Sequence, residues 1–175
     1  MGTIRDEILQ TRPFASATEE AVVTLVATAD RVRSAASAVV EAHGITFQQY
    51  NVLRILRGAG AAGLPTLDVA ARMIEKSPGI TRLLERLEAR RLVRRVRCPE
   101  DRRQVLCYAT ARAVRLITSL DAPMQEQARC CLGPLDATRT AAFVEMLDEV
   151  RAAAATASGR PPKSITNKRT KETIR

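Results

Sequence analysis

Tryptophan is absent from this chain of 175 residues, and aromatic residues make up only 3% of it. The core must then be assembled mainly from Ala, Leu, Val and Ile, which favours helices packed through aliphatic faces. There is one histidine, His43, so a conventional Cys/His zinc site is not expected, and neither is any other cofactor. The four cysteines (Cys98, Cys107, Cys130 and Cys131) do not have the arrangement of a disulfide framework, and a reduced, cytosolic setting follows as the default. No apolar run approaches the roughly 18 residues that a membrane span needs. The opening MGTIRDEILQTRPF has acidic residues and no hydrophobic segment, unlike a secretory signal. A Gly-rich phosphate loop, an HExxH pair and a nucleophile motif beside His43 are all missing, so the chain does not read as an enzyme.

Positive charge, by contrast, is plentiful and localised. The chain carries a net charge of +9. Residues 72–103 hold 11 Lys/Arg against 5 Asp/Glu, and residues 159–175 hold 6 against 1. Those two segments carry +6 and +5, so the remaining residues together carry −2. A field confined to one stretch and a tail is the footprint of phosphate contact.

Taken in order, residues 1–15 form an arm or short helix with Ile4, Ile8 and Leu9 as its apolar side. Ser16 and Glu19 have capping-box spacing, and a helical stripe from Val22 to Val40 predicts a long helix to about Ala42, closed by Gly44. Thr46 and Gln49 open a second helix that buries Tyr50, Leu53 and Leu56. GAGAAGLP reads as a flexible loop. Thr66 then caps a short helix whose Leu67, Ala70 and Met73 or Ile74 face inward.

The most informative stretch is Ser77 to Tyr108. Ser77 suits an N-cap and Pro78 the first helical position. Ile80, Leu83, Leu84 and Leu87 then form one apolar stripe at helical spacing. From Leu92 the period shortens: LVRRVRC and VLCYA flank a polar, arginine-bearing tip, which predicts a hairpin. A short helix, a tight turn, a second helix with an exposed polar face and a hairpin make a winged helix-turn-helix. Beyond it, Thr110 caps a helix to about Ser119, and Pro123 is expected to break or bend it before it resumes to Leu132. Gly133-Pro134 is a stop, and Asp136 caps a last helix with Phe143, Leu147 and Val150 on one side, fraying through AAAATAS. Residues 159–175 read as a disordered basic tail.

Four segments, GITFQQYNVLRIL (44–56), LPTLDVAARM (64–73), SPGITRLLERLEARRLVRR (77–95) and PEDRRQ (99–104), resemble the MarR (multiple antibiotic resistance regulator) family of bacterial transcription factors. The resemblance covers about residues 16–155. The chain departs from the family pattern at Arg91, where Gly is frequent, at Ala109-Thr110, where Leu-Thr is usual, and at Ala113, where Gly is common. The implied fold is mainly α with a small β-hairpin wing: a single domain over 1–158, with dimerisation helices at about 1–42 and 110–158 around a winged helix-turn-helix at about 45–109. The resemblance further implies a cytoplasmic bacterial homodimer, nucleoid-associated when bound to double-stranded DNA. Such a dimer interlocks through its terminal helices, here with Ile8, Leu9, Phe143, Leu147 and Val150. It sets two recognition helices roughly 34 Å apart on a pseudo-palindromic operator. Family members usually repress, and many release DNA when a small phenolic or lipophilic anion binds; His43 and Tyr50 are candidates to line that pocket.

Ser77, Pro78, Gly79, Thr81, Arg82 and Arg86 are the expected major-groove and phosphate residues, since the N-terminal end of the helix enters first. Arg102 and Arg103 sit at the wing tip, where a guanidinium suits a narrow minor groove. The family pattern favours Arg103, with Asp101 orienting it or a helix arginine. Arg95 and Arg97 share one strand face, with Arg94 on the other, and Arg95 joins the expected contacts. Two other readings remain: a redox-responsive regulator in which Cys98 and Cys107 oppose each other across the hairpin, and a non-specific architectural DNA-binding protein.

Overall fold

The computed structural model describes residues 2–75, 79–99, 101 and 103–159. Ser77, Pro78, Arg102 and the tail from residue 160 therefore lie outside the described residues. The chain divides into two compact units, 1–131 and 132–175.

In the first unit, α1 (Ile4–Glu7) is closed by a Thr3/Asp6 capping box. Ile8 and Leu9 follow it, and Leu9 is 84% exposed with φ +54°. Arg31 of the next helix donates to Glu7 (2.6 Å), tying this arm down. That helix, α2, spans Ala17–Glu41, with Ser16 accepting from the Glu19 amide. Only Ala36 and Val40 of α2 are buried, while Val22, Val26 and Val32 remain exposed. Its apolar stripe is thus largely uncovered in the single chain.

α3 (Phe47–Ala59) carries the expected Thr46/Gln49 capping box and buries Tyr50, Leu53 and Leu56. The Gly-rich segment after it is not a free loop. A 3-10 turn over Gly60–Ala62 leads into β1 (Leu64–Pro65), which pairs with β3. α4 (Thr66–Arg72) follows directly. Thr66 does not cap it; its hydroxyl donates to the Val105 carbonyl (3.3 Å) instead, as strand pairing draws this segment against β3. The inward face of α4 also differs from expectation. Val69 and Met73 are buried, whereas Leu67 is 79% and Ile74 71% exposed. The helix ends at Arg72, so Ile74 is not on its stripe, and Val69 rather than Leu67 occupies the core side.

α5 (Ile80–Ala89) buries Ile80, Leu83, Leu84 and Leu87, the stripe that the spacing predicts. β2 (Val93–Arg97) and β3 (Val105–Ala109) complete an antiparallel sheet in the order β1-β3-β2. α6 spans Ala111–Leu132 without interruption, so Pro123 does not break it. The expected break does not follow because losing one amide donor leaves the rest of a 22-residue helix bonded. Thr110 accepts from the Ala113 amide (3.2 Å) and starts this helix. The core of the unit gathers α2, α3, α5, the sheet and α6 around Val40, Leu53, Leu84, Leu92, Ile117 and Leu120.

The second unit is α7 (Ala137–Ala157), capped by Asp136 through the Arg139 amide (2.8 Å). It stays helical through the alanine run, since Ala is the strongest helix former. Phe143 and Leu147 are half-buried, and Val144, Met146 and Val150 are exposed.

Candidate nucleic-acid interface

α5 presents two unlike faces. One is the buried stripe just described. On the other, Thr81, Arg82, Glu85 and Arg86 are exposed. Neither Arg82 nor Arg86 has an ion-pair partner among the described residues, which leaves both guanidiniums available. Gly79 stands at the N-cap, and its carbonyl accepts from the Leu83 amide (3.0 Å). Among the described residues no side chain caps this helix end.

The approach to this helix is pinned from below. The buried Asn51 of α3 accepts from the Ile74 amide (3.2 Å). Glu75 takes Gln48 at 3.3 Å and Arg33 at 3.7 Å. Nothing in local sequence pattern marks these three as partners of the turn, because they come from two earlier helices.

The wing tip is organised by Asp101. Its carboxylate accepts from the Arg103 amide (3.0 Å) and from the Gln104 side chain (2.9 Å), while its carbonyl accepts from the Gln104 amide (2.9 Å). Asp101 thus orients Arg103 through the backbone and leaves its guanidinium exposed. The three arginines of β2 have separate fates. Arg94 lies over the Tyr108 ring at 4.5 Å, a cation–π contact. Arg95 is held by Glu88 of α5, with Glu85 farther off. Arg97 is exposed.

Cys98 and Cys107 do not oppose each other. Arg95 faces Cys107, and the Cys98 amide donates to the Gln104 carbonyl (2.9 Å). Three residues of offset correspond to roughly 10 Å along a strand, beyond the reach of a disulfide. Burial pushes the Cys107 thiol up, with Thr66 partly offsetting it.

A cleft of about 320 Å³ opens where the end of α3 and the 3-10 turn meet the sheet and α6. Leu56, Arg57, Arg94, Tyr108, Thr110 and Val114 line it. His43 and Tyr50 are not among its walls. His43 is exposed, with Nδ1 3.1 Å from the Val39 carbonyl at the end of α2. Tyr50 is buried between Phe47 and Arg54, and burial raises its phenol pKa. Among the described residues no three His, Cys, Asp or Glu side chains gather as a metal site, and no helix is long and apolar enough to cross a membrane.

The model of the MarR family matches residues 43–104, the span from the end of α2 to the wing tip. A MarR transcription factor from Planctomyces limnophilus is 34% identical, over 78% of this chain and 98% of its own, with a TM-score of 0.61. The chain belongs to the MarR family. Other members share its architecture. Streptomyces coelicolor PcaV, solved with its natural ligand, is 28% identical over 72% of this chain and 90% of its own, with a TM-score of 0.62. Staphylococcus aureus MepR, solved with DNA, is 19% identical over 74% and 95%, with a TM-score of 0.69. No curated protein sequence matches the chain. As a MarR family member it is a DNA-binding, winged-helix transcription regulator and not an enzyme. In the winged-helix fold of the family, α5 is the second helix of the helix-turn-helix and β2–β3 the wing. The family's frequent Gly at the helix-to-wing corner also gains a reason: Arg91 there has φ +57°, a conformation that glycine adopts freely.

Proposed function

We propose that this regulator binds a pseudo-palindromic operator as a homodimer and represses from it. The observation that carries the reading is the combination of two exposed arginines on α5 with a third on a braced wing. Arg82 and Arg86 are exposed opposite a buried stripe, and Asp101 fixes the backbone of Arg103. In the proposal, the residues entering the major groove are Ser77, Pro78, Gly79 and Thr81, with Arg82 and Arg86 behind them. Arg103, with Arg102 beside it, reaches the minor groove. One bidentate arginine–guanine contact contributes about 1–3 kcal/mol of base discrimination. The basic segment 159–175 adds affinity for any sequence through counterion release.

Dimerisation has support in the uncovered apolar faces: Val22 and Val26 on α2, Ile8 and Leu9 beside α1, and Val144, Met146 and Val150 on α7. Phe143 and Leu147 join them. A lone chain leaves these faces in water at a cost that a second copy removes.

The regulator is also proposed to respond to a small molecule, as the PcaV relative solved with its natural ligand suggests, and a lipophilic anion is the class that the family resemblance implies. Tyr50 and His43, the pocket residues that the sequence suggests, do not line the described cleft. The cleft beside Tyr108 has better chemistry for such a ligand: Arg94 for the negative charge, since Arg57 is already paired with Asp121, and Leu56, Tyr108 and Val114 for an apolar body.

Arg103→Ala tests the DNA reading. It should weaken operator binding while sedimentation still reports a folded dimer. Unchanged affinity in that dimer would remove the wing from the interface.

A further inference from the structure

Glu88 is acidic, yet it sits on the helix that is to face phosphate. Like charge there costs DNA affinity unless the carboxylate does something else. Its two oxygens are both engaged. Oε1 accepts from the backbone amide of Arg95 (3.1 Å), and Oε2 accepts from its Nε (2.7 Å). The Arg95 Nη1 also lies 3.9 Å from Glu85. The Arg95 side chain is only 23% exposed, unlike the exposed Arg82 and Arg86 of α5. Across the strand from Arg95 is Cys107, fully buried, and one residue before Glu88 is Leu87, also fully buried. Both ends of the contact are therefore seated on the core.

We infer that Glu88 and Arg95 are positioning residues for DNA recognition, a clasp that fixes the wing to the recognition helix. The inference rests on the regulator reading given above, and it replaces direct DNA contact by Arg95. The physical reason is leverage. Arg103 lies beyond the end of β2, so a small rotation at the base of the hairpin becomes a larger shift at its tip. A carboxylate that grips both the backbone and the side chain of one strand residue removes that rotation. The spacing between Arg82, Arg86 and Arg103 is then set before DNA arrives, and no ordering cost falls on binding.

The test uses a duplex that the wild-type full-length protein selects from a random pool, and compares wild type, Glu88→Ala, Glu88→Gln, Arg103→Ala and each Glu88 variant combined with Arg103→Ala. Deleting a negative charge from a DNA-facing helix would by electrostatics alone strengthen binding to every duplex. A positioning role gives the opposite sign on the selected duplex: a loss of about fivefold or more, in the range of couplings between contacting groups. Affinity for random duplex should stay level or rise. Arg103→Ala should then cost less in the Glu88 backgrounds than in wild type, because the wing is already loose. Glu88→Gln keeps the shape and one acceptor, and it serves as the readout if Glu88→Ala melts. Selected-duplex affinity that holds or improves, or an Arg103→Ala penalty equal in both backgrounds, overturns the clasp. A wild-type protein that selects no sequence overturns the regulator reading and the clasp with it.

Discussion

Arg57 grips Asp121 with both terminal guanidinium nitrogens, at 2.8 and 2.9 Å, and so joins α3 to α6. The geometry is fork to fork, the strongest form of such a pair. The hydrogen bond from Arg57 holds the Asp121 carboxyl below its ordinary 3.8, and the same bond raises Arg57. A carboxyl with a lowered pKa stabilises the fold above its unfolded value, and this contribution fades as pH falls through the lowered one. Wild type should therefore melt above Asp121→Asn at neutral pH, and the gap should close in acid, from about pH 4 downward. A gap that persists in strong acid would mean the asparagine perturbs packing instead.

Arg91 offers a stabilising substitution. It holds φ +57° at the corner between α5 and β2, and its side chain has no ion-pair partner among the described residues. An L-residue pays roughly 1–2 kcal/mol for the left-handed region. Its carbonyl accepts from the Thr110 hydroxyl (2.9 Å), a contact that any residue can keep. Arg91→Gly should raise the melting temperature by a few degrees, from a gain of about 1 kcal/mol offset in part by glycine's unfolded-state entropy. A lower melting temperature would show that the arginine side chain matters to the corner.

Two glycines should respond in opposite directions to alanine. Gly63 has φ +62°, and a Cβ there would meet the Tyr108 ring at 2.5 Å. Tyr108 carries Arg94 on its ring face, a contact that any retreat of the ring would disturb. Gly63→Ala should destabilise by about 1–3 kcal/mol. Gly58 is helical in α3, with nothing within 4 Å of an added Cβ. Gly58→Ala should stabilise by about 0.5–1 kcal/mol. Chemical denaturation of both variants checks the contrast, and equal effects would refute it.

Mild oxidation should leave DNA binding intact. The register separates Cys98 from Cys107, and Cys107 is buried with its thiol pKa raised by burial. A raised pKa lowers the thiolate fraction that oxidants attack. A drop in affinity on oxidation that Cys98→Ser or Cys107→Ser abolishes would instead revive the redox reading.

What could be read from residues alone was whatever repeats locally. The α5 stripe, the Thr46/Gln49 box and the Asp136 cap depend on neighbours within one or two turns, and each stands where its spacing put it. β1 leaves no local signal, because two residues in a Gly-rich stretch become a strand only through pairing with β3, some forty positions away. Leu67 faces outward against expectation for a related reason: in a seven-residue helix few apolar positions define the inward side, and tertiary packing selects Val69. Arg95 looked like one more basic finger, and only the fold brings Glu88 to it. The pairings of Asn51, Glu75, Arg57 and Asp121 leave no local signal either, since each acts on a partner from another element.

The most direct test of the central claim is a comparison of affinities at one salt concentration, between the duplex that the protein selects from a random pool and an unselected duplex. A specific dimeric regulator should select a pseudo-palindrome and prefer it by about 1,000-fold or more. A ratio near one, with no sequence enriched, would contradict the account and leave a chain that binds DNA by charge alone.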